Sequence, residues 1–241
     1  MRIPRIFQPF HLQENSRLML SEETSHYLTT VLRLNSGSSI ILFNGDGNEY
    51  PSIIHFSKKK IVEASIQECI SKNFESPLYT HLGQVISKGT HMDFTIQKSV
   101  ELGVNEITPL YSSRGDVYLN KEREERKQAH WQKIIIHACE QCGRTSIPKL
   151  AKPTPLLAWV QERLENTKLV LEPLGKFNLK TIACNQTIAL LIGAEGGFST
   201  EEVAFITQQG FISIQLGPRI LRTETASLVA LSALQLLKGD L

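Results

Sequence analysis

Two textures alternate along the chain. Between Tyr79 and Leu237, stretches with a strand-like period of two take turns with stretches of helical period. Phe211-Ile-Ser-Ile-Gln-Leu216 reads as a strand. Gly217-Pro218 stops it, because proline cannot donate to a ladder and glycine reaches positive φ. Thr223-Glu-Thr225 then offers hydroxyl caps and a carboxylate where a helix begins, and apolar residues carry that helix to about Leu237. The same logic predicts strands over Tyr79–Ile86, Val104–Tyr111, Lys168–Leu171 and Thr187–Ile192. Helices are predicted over Met92–Leu102, Lys121–Cys142, from Pro155 through Leu164, and from the capping box Ser199-Thr-Glu-Glu202 to just before Gly210. Strands alternating with helices of this length imply a parallel sheet covered on both faces.

The first 72 residues differ. A short helix follows Ser21, and Ser39–Phe43, Pro51–Phe56 and Ile61–Gln67 read as strands joined by Asn44-Gly-Asp-Gly-Asn48 and Lys58-Lys-Lys60. This gives a small β-rich module over 1–72 and an α/β domain over 73–241, with Asn73-Phe-Glu-Ser-Pro77 as the link.

Composition removes some function classes. A net charge of +2 gives no global basic field, so any nucleic-acid contact must be local. No apolar run nears ~20 residues, so membrane spanning is not expected. The four cysteines lack the spacing of a small secreted framework, and a cytoplasmic location follows as the expectation. Cys139-Glu-Gln-Cys142 sits at a helix carboxyl end, where the dipole disfavours a thiolate, and no second pair completes a zinc site; no metal is expected.

Leu191-Ile-Gly-Ala-Glu-Gly-Gly-Phe198 follows one strand and Leu216-Gly-Pro-Arg-Ile-Leu-Arg-Thr-Glu-Thr225 the next. In a parallel sheet both turns fall at carboxyl strand ends, where such folds bind ligands. Leu171-Glu-Pro-Leu-Gly175 joins them by the same geometry. A tight connection would explain one glycine turn alone; a pair is harder to explain that way. Neither turn is G-x-G-x-x-G or a P-loop, and neither G-x-S-x-G nor H-E-x-x-H occurs.

Four segments carry a resemblance: Lys88-Gly-Thr-His-Met-Asp-Phe-Thr-Ile-Gln-Lys-Ser-Val-Glu-Leu-Gly-Val104, Ala138-Cys-Glu-Gln-Cys-Gly-Arg144, Ile192-Gly-Ala-Glu-Gly-Gly197 and Leu216-Gly-Pro-Arg-Ile-Leu-Arg-Thr-Glu-Thr-Ala226. Together they resemble the RsmE-type 16S rRNA uracil-N3-methyltransferases, and the likeness runs nearly the whole chain. It implies an α/β fold of SPOUT type, a parallel sheet with a C-terminal trefoil knot, preceded by a small PUA-like RNA-binding β-barrel. It also implies S-adenosyl-L-methionine as methyl donor, 16S rRNA of the small ribosomal subunit as substrate, and a homodimer. Rival expectations are a SPOUT enzyme acting on another base or a ribose, and a non-catalytic RNA-binding assembly protein.

On this resemblance the donor is held by Leu171 and Glu172, by Gly193, Glu195, Gly196 and Gly197, and by Leu216, Gly217, Ile220, Leu221, Arg222 and Thr223. Arg222 is expected to stabilise the uracil oxygens or a flanking phosphate. Glu224 is a candidate base, although a carboxylate in a first helical turn is as often a dipole partner. Arg2, Arg5, Arg33, Arg114 and Arg144 are expected to position RNA. Two departures from the family stand out: Ala194 where proline is usual, and Gly115-Asp116 where a small hydroxyl residue often follows Arg114.

Overall fold

The computed structural model describes residues 3–57, 61–115, 117–173 and 175–241. Arg2, the Lys58-Lys-Lys60 turn, Asp116 and Leu174 lie outside the described residues. The chain forms two compact units: Met1–Glu75 with Cys139–Ile147, and Ser76–Ala138 with Pro148–Leu241.

In the first unit, β1 (Arg5–Phe7), β2 (Arg17–Met19), α1 (Glu22–His26), β3 (Ser39–Phe43), β4 (Asn48–Phe56), β5 (Val62–Ile66) and β6 (Ile70–Ser71) follow in order. The sheet runs β1-β3-β4-β5-β2, with β6 also on β4. Only β1–β3 is a parallel pair among these strands. Alternation is clean in β5, where Val62, Ala64 and Ile66 are buried and Glu63 and Ser65 are partly exposed, so one face meets the core. That core gathers Leu12, Leu28, Ile40, Leu42, Ile54 and Val62. The helix expected over Ser21–Leu32 keeps its α form only to His26. The Ser21 hydroxyl accepts the Thr24 N–H at 3.1 Å, and after His26 the backbone widens into a π turn over Tyr27–Val31.

Cys139–Ile147 belongs to this unit through a buried polar network, which periodicity could not foretell. Arg5 pairs with Glu49, and its second terminal nitrogen donates to the carbonyl of Arg144 at 3.1 Å. Arg144 pairs with Glu75, Lys72 reaches Glu49 at 2.8 Å, and the Phe7 N–H donates to Glu140 at 3.0 Å. Arg5 also lies 5.0 Å over the Phe43 ring. Burial pushes the Cys139 thiol up to about 12, against the nearby Arg144 charge, so it is an inert structural sulfur.

The second unit contains β7 (Tyr79–Val85), α2 (His91–Glu101), β8 (Glu106–Tyr111), most of α3 (Lys121–Cys142), β9 (Lys149–Leu150), β10 (Thr154–Pro155), α4 (Leu156–Gln161), β11 (Thr167–Leu171), β12 (Phe177–Asn178), β13 (Thr187–Ile192), α5 (Thr200–Gln208), β14 (Ile212–Gln215) and α6 (Thr223–Lys238). The sheet order is β10-β8-β7-β13-β11-β14-β12, with β9 on β8, and every pairing is parallel. β7 and β13 are buried at all but their first residues, as strands covered on both faces must be. Trp159, Phe198, Phe211, Val85, Leu110 and Leu191 pack on one another in the core.

The amino ends of the strands are closed by a polar cluster. His81 contacts Glu165 at 3.1 Å and the Thr108 hydroxyl at 2.8 Å, while Arg163 lies 4.7 Å over Trp159 and 3.4 Å from Glu165. Burial alone would raise the Glu165 carboxyl. The His81 hydrogen bond, the residue's own N–H and the Arg163 charge outweigh it and hold the group down at about 2. The folded pKa is therefore depressed below the unfolded one. The stabilisation is complete above the unfolded value of about 4.3 and is lost as pH falls towards 2. Urea unfolding at pH 5 and at pH 2.5 should show wild type losing on the order of 2–3 kcal/mol more than Glu165→Gln across that window. Equal losses would show that this carboxylate is not an acid-labile support.

Candidate active site

At the opposite, carboxyl pole the turns after β11, β13 and β14 wall a cavity of about 310 Å³. That falls within the roughly 300–1,000 Å³ typical of small-molecule sites. From the first turn come Leu171, Glu172 and Pro173; from the second Ile192, Gly193, Ala194, Glu195, Gly197 and Phe198. The third turn gives Gln215, Leu216, Gly217, Arg219, Ile220, Leu221, Arg222 and Thr223, and Ala226 adds a wall from α6.

Each turn is fixed by a different device. In the first, Gly175 packs so tightly that an added Cβ would stand 2.3 Å from the Ile214 carbonyl carbon, so only glycine fits. There the Glu172 N–H donates to the Ile214 carbonyl at 3.0 Å, and its carboxylate accepts the Ser213 hydroxyl at 2.7 Å. The second turn closes when the Gly197 N–H, at a φ of 65°, donates to the Ala194 carbonyl at 2.9 Å. The third leads into α6, whose N-cap is Arg222 in extended conformation.

A buried network ties the second and third turns to the sheet. The Thr223 hydroxyl donates to the Gly193 carbonyl at 2.6 Å and accepts from the Gln84 amide nitrogen at 3.0 Å. The Ser227 hydroxyl donates to the Gln84 amide oxygen at 2.6 Å. Gln84 and Ser227 are fully buried and Thr223 is 5% exposed, so each of these bonds satisfies a group that water cannot reach.

Of the expected donor residues, all but Gly196 line the cavity. Gly196 stands on the outer side of its turn, where its carbonyl accepts an Arg114 N–H at 3.2 Å. Arg222 lines the cavity with an exposed side chain. Glu224 is not among the lining residues; its carboxylate meets Nδ1 of His91 at 3.1 Å and is 12% exposed. Pro173, Ile192, Ala194, Phe198, Gln215, Arg219 and Ala226 were not anticipated, although all but Ala226 adjoin a residue that was.

The arginines expected to meet RNA separate into two sets. Arg5 and Arg144 are 8% and 5% exposed and are held by Glu49 and Glu75. Their guanidinium groups serve the interior of the first unit, which corrects the expectation of a phosphate contact. Arg33, at a positive φ of 52°, and Arg114 are exposed. Arg2 is outside the described residues. Among the described residues no group of three or more His, Cys, Asp or Glu side chains is arranged to hold a metal ion.

Comparison with known proteins places these features in a family. A family model described as an RNA methyltransferase domain matches residues 74–235, and one described as an RNA methyltransferase PUA domain matches residues 20–67. A relative from Buchnera aphidicola (subspecies Schizaphis graminum), named ribosomal RNA small subunit methyltransferase E, is 45% identical over 100% of this chain and 98% of its own. The protein of that name from Bacillus subtilis is 29% identical over 95% of each. Among solved structures, a Legionella pneumophila methyltransferase in complex with S-adenosylmethionine superposes with a TM-score of 0.96 at 45% identity, covering 100% of both chains. The ribosomal RNA small subunit methyltransferase E of Neisseria gonorrhoeae, bound to S-adenosylmethionine, gives 0.92 at 36% identity and 99% coverage of both. The chain therefore belongs to the RNA methyltransferase family, among the relatives named ribosomal RNA small subunit methyltransferase E.

Proposed function

We propose that the chain transfers a methyl group from S-adenosyl-L-methionine to N3 of a uridine in 16S rRNA of the small ribosomal subunit. The observation that carries this reading is the cavity at the carboxyl pole, walled by three turns and edged by Arg222. Its lining fits such a donor. Ile192, Phe198, Leu171 and Leu216 offer apolar surface, and Gly193 and Gly197 bring backbone to the wall. At Gly193 a Cβ would stand 3.2 Å from the Phe198 ring, so even a methyl group would crowd this wall. Glu195, exposed on the glycine turn, puts negative charge beside a cationic ligand.

The donor's sulfonium supplies an activated methyl group. The protein's work is then alignment of the uracil nitrogen and management of its proton. The new N3–CH3 bond would form as the S–CH3 bond breaks, leaving a thioether, and the N3 proton would pass to solvent water. Loss of that proton puts negative charge on the uracil oxygens. Arg222 is our candidate for holding this charge, as a cation edging the cavity from the N-cap position of α6. Arg33 and Arg114 are exposed cations suited to phosphate contacts, with Arg114 beside the glycine turn.

The same reading includes a C-terminal trefoil knot and a homodimer. In support of the first, the chain after β14 returns to bond with Gly193 and Gln84. In support of the second, α6 leaves Val229, Leu236 and Leu237 at 40%, 68% and 47% exposure, a greasy face for a solvated helix. We place the protein in the cytoplasm with its ribosomal substrate; no described helix is long and apolar enough to cross a membrane.

Mass spectrometry of 16S rRNA tests the substrate. N3-methyluridine should vanish in a strain lacking this gene and return with the intact chain; its persistence in the deletion would overturn the assignment. Thr223→Val keeps the side-chain shape but strands the Gly193 carbonyl and the Gln84 amide, at a cost of about 1–3 kcal/mol in stability. Calorimetry with S-adenosylhomocysteine should show its affinity falling about tenfold, since 1.4 kcal/mol corresponds to that factor. Unchanged affinity would mean the network does not hold the donor wall. For the dimer, sedimentation of the double variant Leu236→Glu, Leu237→Glu should give a monomer where wild type gives a dimer, and a persisting dimer would rule this face out.

A further inference from the structure

The capping box at the start of α5 does more than cap a helix. The Ser199 hydroxyl accepts the Glu202 N–H at 3.2 Å, and Glu202 Oε2 accepts the Ser199 N–H at 2.8 Å, the reciprocal pair such a box requires. The other carboxylate oxygen is not left to water. Oε1 accepts the Ser113 N–H at 2.7 Å, from the loop that follows β8. Glu202 is 6% exposed, which is rare for a first-turn glutamate, and both its oxygens are committed to backbone donors.

The consequence is geometric. Ser199 directly follows the glycine turn, and Arg114 directly follows Ser113. Arg114 in turn donates to the Gly196 carbonyl at 3.2 Å, while Gly196 is packed closely enough that a Cβ would stand 3.5 Å from both Cβ and the carbonyl oxygen of Arg114. The two loops are thus zipped at both ends, by Glu202 at the helix and by Arg114 at the turn. One loop walls the donor cavity and the other bears an exposed arginine on the same pole of the sheet.

We infer that Glu202 is a positioning residue for methyl transfer: its buried carboxylate clamps the Ser113–Arg114 loop to the glycine turn, setting the RNA-facing cation against the donor wall. This rests on the methyl-transfer reading above. A misplacement of about 1 Å between reacting partners can cost about 10²-fold in rate, so a clamp between the two loops bears directly on turnover.

Three variants separate clamping from capping. Glu202→Gln keeps the size but has a single acceptor oxygen, so it serves only one of the two N–H groups. Glu202→Asp is too short to span both and stands in should the glutamine variant not fold. Ser199→Ala removes the cap hydroxyl and leaves both carboxylate bonds in place. Amide hydrogen exchange in the whole chain should quicken about tenfold or more at Ser113–Gly115 and at Gly193–Gly197 in either Glu202 variant, but only in the first turn of α5 in Ser199→Ala. With small-subunit rRNA and donor both saturating, kcat should fall about 10- to 100-fold in the Glu202 variants and stay within about twofold of wild type in Ser199→Ala. Glu202 variants that match Ser199→Ala in exchange and in kcat would overturn the inference, as would faster loop exchange with undiminished kcat. Exchange is read without substrate, so a wild-type chain inactive on this RNA would count against the proposed substrate and not against the clamp.

Discussion

The side-chain amide of Gln84, fully buried on a central strand of a parallel sheet, is the constraint on which the carboxyl pole is built. An unpaired amide there would cost several kcal/mol, so the fold must bring it partners. Those partners are Thr223 and Ser227, on successive turns of a helix that begins almost 140 residues later, at separations of 139 and 143. Thr223 extends the chain of bonds to the Gly193 carbonyl. One polar residue on β7 therefore sets the axial position of α6 and the height of the glycine turn on β13 together. Such a network fixes one arrangement because any slip of α6 by a residue strands several buried groups at once.

The two ends of the sheet answer to different demands. The amino pole is filled, with His81, Glu165, Arg163 and Trp159 locked in mutual contact, and it carries stability. The carboxyl pole is hollow, and its walls are turns held by a few hydrogen bonds each. This follows from the parallel arrangement, in which all strands end together and all connections into helices leave from the same side. A site there can be enlarged or reshaped through turns without disturbing strand register.

Much of this was legible in the residues. The bounds of α3 and β13 match their periodicity, and the capping box of α5 and the run of α6 lie where their signals put them. These are long or strongly marked elements. β1, β2, β6, β9, β10 and β12 escaped notice because a strand of two or three residues has no period to read. α4 stops at Gln161, short of Leu164, since the helix pattern there outlasts the packing of Leu156, Trp159 and Val160 that sustains it. The site was legible as three turns because their order along the chain implies co-location in a parallel sheet. Arg5 and Arg144 were misread for a different reason. Sequence shows a charge but not its partner, and only the fold reveals that Glu49 and Glu75 take both inside. The partner of Glu224, His91, is likewise visible only in the fold.

The glycine turn also shows how alanine is accommodated at position 194, where the resemblance led us to expect proline. Its carbonyls are taken from three directions: Gly193 by the Thr223 hydroxyl, Ala194 by the Gly197 N–H, and Gly196 by Arg114. A turn fixed through its carbonyl oxygens does not draw its closure from the side chain at position 194, which lines the cavity, and a proline there would offer the same acceptor to Gly197. Replacing proline by alanine then acts on the unfolded chain, where added freedom costs roughly 0.4–1 kcal/mol on folding, and not on the turn's shape. Holding the wall by its carbonyls fixes its form through backbone groups. The same logic reaches outward through Arg114 and Glu202, where the fixed points are again backbone groups and the side chains are the ties between them.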